Sequence, residues 1–194
     1  MGHSRTEKAE SHERILRAAA LKLREAGLNG VGVAELMQAA GLTHGGFYRH
    51  FESRDALVAE AVRAALEQGE RRQRRIAGTH ADAPFAALVQ HYLRPAHRDE
   101  IAEGCALVAL SADAARAGEA VRAAFAEQVE RYVALYAELL NAADPPAARA
   151  EAVLALASMV GALALARAVG DDALAQEILT TTAQKLTQRP PDPA

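Results

Sequence analysis

Apolar residues recur along the chain at spacings of three and four, and no stretch shows the period-two alternation of a half-buried strand. Ser11 can cap a helix whose stripe carries Ile15, Leu16, Ala19, Ala20 and Leu23, with Gly27 as its stop. Leu28 to Gly32, with two glycines, reads as a connector. Val33, Leu36, Met37 and Ala40 then mark a short helix that stops at Gly41. Thr43 can cap a second short helix bearing Phe47, Tyr48 and Phe51, and Ser53 a longer one through Leu57, Val58, Ala61, Val62 and Ala65. That longer helix runs into the Glu70 to Arg75 charge run and breaks near Gly78.

The remainder continues in the same period. Pro84 starts a helix with Phe85, Leu88, Val89, Tyr92 and Leu93, and Pro95 ends it. Cys105 to Ala112 is short and apolar, and Val121 to Leu140 is long and amphipathic, closed by Asp144-Pro145-Pro146. Residues 147–169 are apolar nearly all round, Gly170 ends them, and a last helix over 172–187 precedes a proline-rich tail from Arg189. The fold class implied is all-α: an N-terminal three-helix helix-turn-helix domain over 1–54, a linking helix 54–77, and a larger helical domain over 78–194.

Composition sharpens this. Alanine dominates and aromatics are 4% of the 194 residues, which favours helix. The net charge is −3, but residues 1–54 hold 8 of the 22 Lys+Arg against 6 of the 25 Asp+Glu, so the head is +2 and the body −5. That asymmetry has the sign of a DNA-facing head on an acidic body. The single Cys105 cannot form an intramolecular disulfide, and Met1 to Ser11 contains no apolar core of a signal peptide, so a cytoplasmic location is expected. The charge-free stretch Ala152 to Ala166 falls short of the roughly 20 residues a membrane span needs, so no membrane partner is expected.

Val33 to Phe51 has the layout of a helix-turn-helix, with the glycine-bearing turn Gly41-Leu42-Thr43 between its helices. The second helix of such a unit enters the major groove while the first braces it across the backbone. His44-Gly45-Gly46 open this second helix, and each glycine costs about 1 kcal/mol against alanine in a helix interior. Small residues there let backbone approach DNA closely.

The run from Arg14-Ile15-Leu16-Arg17-Ala18-Ala19 to Phe47-Tyr48-Arg49-His50-Phe51-Glu52-Ser53-Arg54-Asp55-Ala56-Leu57 resembles the N-terminal domain of the TetR family of bacterial repressors. The likeness covers residues 12 to 60, with Tyr-x-His-Phe and the following Ser-Arg-Asp-Ala-Leu its most diagnostic part. The resemblance implies that Tyr48, His50 and Arg54 contact phosphate, and that Thr43, His44, Gly45, Gly46 and Arg49 face the groove. Two positions depart from the pattern. Gly32 stands where Ser or Thr usually caps the second helix, and Arg54 replaces a lysine, keeping the charge and adding a planar fork. Phe47 and Phe51 read as core. His44 and His50 lack the surrounding ligands of a metal site.

Beyond residue 70 the likeness fades. An apolar cavity lined by Phe85, Tyr92, Cys105, Leu107, Phe125 and Tyr132 would suit an unidentified small apolar inducer, although core packing also accounts for most of these residues. The resemblance implies a homodimer through the last two helices, for which Leu154, Leu156, Met159, Leu163, Leu174 and Ile178 are candidates. Cys105 opens a short helix, where a thiolate is favoured, so a thiol-based redox or electrophile sensor is one alternative and a small buried hydrophobe another. No catalytic set, cofactor-binding loop or metal-ligand spacing is present, so no enzyme is expected. The function implied is a ligand-released repressor on a palindromic double-stranded DNA operator, and a helical interaction module is its rival.

Overall fold

The computed structural model describes residues 5–141 and 144–188. The first four residues and the proline-rich tail from Arg189 lie outside the described residues. Within the described residues there are nine α-helices, one 3-10 helix and no strand. In chain order they are α1 (Arg5–Ala26), α2 (Val33–Ala39), a 3-10 segment (His44–Arg49), α3 (Arg54–Gly78), α4 (Pro84–Tyr92), α5 (Pro95–Asp99), α6 (Ala106–Ala114), α7 (Glu119–Leu140), α8 (Pro145–Ala168) and α9 (Asp172–Thr187).

Two compact units divide this chain, and neither is a single run of sequence. One holds residues 1–69 with 102–128, the other 70–101 with 129–194, so the divisions fall inside α3 and α7. In the first unit, α1 buries Ile15, Ala19, Ala20 and Leu23 and packs against α2 and α6. Gly27 takes φ +79°, a left-handed turn in which a side chain is strained, and ends α1. Asp113 of α6 accepts a hydrogen bond from Leu28 N–H at 2.9 Å, and Arg24 donates to the carbonyl of Ala102 and, at 3.1 Å, to Gln68 Oε1. Polar tethers therefore tie the C-terminal end of α1 to the segment 102–114.

In the second unit α9 packs on α8 and α4, and α5 lies on α8. Asp171 caps α9, accepting from Ala173 N–H at 2.8 Å and Leu174 N–H at 3.1 Å. Arg167 of α8 donates to the carbonyls of His97, Arg98 and Glu100 at 2.8 to 3.0 Å, satisfying the end of α5. His97 is buried, with Nδ1 2.7 Å from the carbonyl oxygen of Tyr92. Burial pushes its pKa down to about 4; the Tyr92 carbonyl opposes the shift, and Arg167, Arg72 and Arg94 add to it.

Four local expectations need correction. Ser11 lies inside α1, because the helix already runs from Arg5. Pro95 does more than end α4: its fixed φ and missing N–H suit a first helical position, and it begins α5. The segment after Thr43 is a 3-10 rather than an α-helix, and Thr43 flanks it without a side-chain capping bond. Finally, α8 spans 24 residues with a mean hydropathy of 1.6 in its most apolar window, so length does not disqualify it as a membrane span. One side of it is packed, with Ala152, Ala155, Leu156, Met159, Ala162, Leu163 and Ala166 buried within the chain, while Val153, Leu154 and Leu165 are exposed. Arg149 near its start is held by Glu130 through two bonds of 2.6 and 2.7 Å.

Candidate nucleic-acid interface

The first unit presents the helix-turn-helix through a turn that glycine makes possible. Gly41 adopts φ +70°; its N–H donates to Gln38 O at 2.9 Å, and that of Leu42 donates to Met37 O at 2.9 Å. These paired bonds close the last orphan carbonyls of α2 and reverse the chain tightly. Gly32 flanks the start of α2 without a side-chain bond, as its missing side chain requires.

From Thr43 the chain winds as a 3-10 helix, with Gly46 N–H donating to Thr43 O at 3.0 Å and His50 N–H to Phe47 O at 2.9 Å. Gly45 and Gly46 lie in the first turn of this segment, where fixing glycine costs more backbone entropy than fixing alanine. Phe47 and Phe51 anchor the segment in the core, their rings 5.9 Å apart. Tyr48 points outward, 75% exposed, with its ring edge-on to Phe47 at 5.1 Å. Thr43, His44, Gly45 and Arg49 are exposed, while Gly46 and His50 are half-buried. A Cβ on Gly45 would meet nothing within 4 Å, and one on Gly46 would make only ordinary contacts at 3.8 and 3.9 Å. Nothing inside the chain requires glycine at either position.

Arg54 differs from these neighbours. Its Nη2 donates to the carbonyls of Leu28 and Val31, at 2.6 and 3.1 Å. One nitrogen of the fork expected to grip phosphate thus braces the connector between α1 and α2. Ser53 caps α3 as read from the sequence, accepting from Ala56 N–H at 3.1 Å.

Three residues that the sequence did not single out complete the surroundings of His50. The His12 ring on α1 stacks on Phe51 at 4.7 Å, lies 6.1 Å from the His50 ring, and places Nε2 2.9 Å from Glu60 Oε2 on α3. The pKa of His50 is lowered first by burial, then by the charges of His12, Lys8 and Arg49. Its Nδ1 is enclosed, with no hydrogen-bond partner among the described residues. Lys8 and His12 were legible only as an i, i+4 pair on the polar side of α1.

The remaining candidates scatter. Of the six cavity candidates, Cys105, Leu107 and Phe125 belong to the first unit and Phe85, Tyr92 and Tyr132 to the second. The Phe85 ring meets Tyr136 edge-on at 6.0 Å, Tyr132 meets Tyr136 at 6.3 Å, and Tyr92 meets His97 at 4.8 Å. Cys105 flanks the start of α6 and is 7% exposed. Among the dimer candidates, Leu156, Met159 and Leu163 are buried in their own unit, which leaves them little surface to offer a second chain. Leu154, 63% exposed, and Leu174 face outward, as do Val153 and Leu165, while Ile178 is half-buried.

Comparison with known proteins adds two family matches. Residues 15–61 match the model of bacterial regulatory proteins of the tetR family. Residues 82–181 match the C-terminal domain of LmrA/YxaF-like transcriptional regulators. No curated protein matches the chain significantly. Among solved structures, a TetR transcriptional regulator from Chloroflexus aurantiacus is similar at a TM-score of 0.78 and 23% identity, covering 95% of this chain and 98% of that one. The reduced form of E. coli NemR is similar at 0.76 and 19%, covering 92% and 95%. A TetR-family transcriptional regulator from Streptomyces coelicolor is similar at 0.72 and 22%, covering 96% and 95%. At these identities the likeness is one of fold.

Proposed function

The chain belongs to the tetR family of bacterial transcriptional regulators, and from that premise we propose that it is a cytoplasmic, ligand-released repressor that binds a palindromic operator as a homodimer. The observation that carries the reading is the face from Thr43 to Arg49. It is exposed, anchored from behind by Phe47 and Phe51, and holds two glycines that nothing in the chain itself demands. Such a face suits close approach of backbone to a groove, with Thr43, His44 and Arg49 reading bases and Tyr48 and His50 donating to phosphate.

Dimerisation is supported by apolar side chains that α8 and α9 leave outward: Val153, Leu154, Leu165 and Leu174. Two recognition segments held about 34–36 Å apart, or a multiple of that, would read two half-sites. Release follows if an apolar ligand favours a state in which that spacing is lost, since a ligand indifferent to the two states shifts nothing. Selection from a random duplex library tests the DNA reading: an enriched inverted repeat is expected, and no enrichment overturns it. Operator binding titrated with small apolar compounds then tests release.

A second reading makes Cys105 the sensor, and its place at the start of α6 supports it. Its burial opposes it, because a thiol must be reached to react. Cys105→Ser should leave both operator affinity and release by a noncovalent ligand intact. Loss of release by thiol-reactive compounds alone in that variant would favour the sensor.

A further inference from the structure

We propose that α1 carries a phosphate-binding patch, formed by Lys8 and His12 and continuous with Arg49 and His50, so that the DNA backbone is gripped across the join between α1 and the recognition segment. The inference rests on the DNA-binding reading and extends it to a helix outside the helix-turn-helix.

Lys8 and His12 stand one helical turn apart on the same side of α1. Three contacts fix the His12 ring: the stack on Phe51, the bond to Glu60 and the approach to His50. Lys8, His12 and Arg49 are all close enough to act on the His50 imidazole through their charges. The groups facing His50 are thus Lys8 and His12 from α1, Arg49 from its own segment and, behind His12, Glu60 from α3, whose carboxylate is already engaged. Like charges collected on one surface repel each other, and a diester phosphate placed among them relieves that repulsion. Lys8 and Arg49 are exposed, so backbone can reach them.

His50 has a defined part in this patch. Its enclosed Nδ1 faces no acceptor, so the neutral ring keeps its proton on Nε2, the nitrogen left to donate to a phosphate oxygen. In the free protein its pKa lies below the ordinary 6.5. A bound phosphate raises it, so complex formation takes up protons, and affinity must increase as the pH falls through that interval. Glu60 acts through His12 and is a positioning residue.

The test is fluorescence anisotropy with a labelled duplex of mixed sequence, titrated with salt and repeated between pH 8 and pH 6. Lys8→Gln should weaken binding roughly five- to tenfold at 0.1 M salt and lower the salt slope by about 0.9, the signature of one lost phosphate contact. Arg17→Gln, an exposed change on the same helix where Arg17 pairs with Glu13, should keep the wild-type slope. Wild type should bind more tightly at pH 6 than at pH 8. His50→Gln should flatten that profile, and His12→Phe, which keeps an aromatic ring against Phe51, should alter it. Wild-type binding with an unchanged slope and affinity in Lys8→Gln would overturn the patch while leaving DNA binding intact. Absence of any salt-dependent binding by wild type would overturn the DNA-binding reading and the patch with it.

Discussion

Gly27 holds a φ of +79°, and a Cβ built there would stand 2.6 Å from Asp113 Oδ2. Gly27→Ala should therefore lower the stability by about 1–3 kcal/mol, from left-handed strain and the displaced carboxylate. Gly45 is the opposite case. Its Cβ would enter open space, so Gly45→Ala should leave the fold unchanged or more stable by roughly 0.5–1 kcal/mol. The same change should weaken DNA binding, because the added methyl stands where DNA is proposed to approach. Urea midpoints beside duplex titrations check both, and a Gly45→Ala protein that binds as tightly as wild type would count against the proposed groove face. His97 sets a pH dependence. Its folded pKa is about 4 against 6.5 for an ordinary histidine, so its neutral form is favoured by folding. Above pH 6.5 it imposes no penalty; between pH 6.5 and 4 the unfolded chain gains a proton that the folded one refuses, and stability falls by up to about 3 kcal/mol. His50 and His91, both lowered chiefly by burial, act in the same direction. His97→Gln should flatten this part of the acid-stability curve, measured by denaturant unfolding at each pH.

At the scale of the helix, α8 divides its leucines by face. Leu163 is buried within its own unit and Leu154 is exposed. Leu163→Glu should unfold the second unit, since a carboxylate buried there would have no partner. Leu154→Glu should leave the helix content intact and convert the proposed dimer to monomer, read by circular dichroism and mass in solution. A Leu154→Glu protein that remains dimeric would move the interface elsewhere. Most helices were legible in the sequence because their signals are local. Gly27, Gly41, Ser53 and Pro84 stop, turn or start the chain as their chemistry dictates. What escaped was either a competition or a long-range meeting. The segment from His44 to Arg49 is 3-10 rather than α-helical, and the apolar spacing of Phe47 and Phe51 fits both forms. The bracing role of Arg54 has no local signature, because nothing in its neighbourhood reveals that Leu28 and Val31 turn their carbonyls towards it. The exposed face from Thr43 to Arg49 follows from the anchoring phenylalanines on either side of Tyr48. The approach of His12 to His50, 38 residues apart in sequence, has no local signature.

For the molecule as a whole, the discontinuity of the first unit matters most. Its core is assembled from residues 1–69 and 102–128, and α6 covers α1 only after the intervening segment has been traversed. A ribosome adds about 5–20 residues each second, starting from the N-terminus. The recognition segment is therefore among the first parts made, yet the core behind it closes only after Ala102 and Asp113 have emerged to meet Arg24 and Leu28. Fragments ending at residue 101 should show rapid amide hydrogen exchange across Ile15 to Leu23, and fragments ending at 128 slow exchange. If both exchange alike, the tethers to 102–114 contribute nothing to that core. If they differ as expected, an interrupted nascent chain would carry every residue of the proposed groove face and still lack the core that holds it, so DNA binding would be reserved for chains whose synthesis has passed α6.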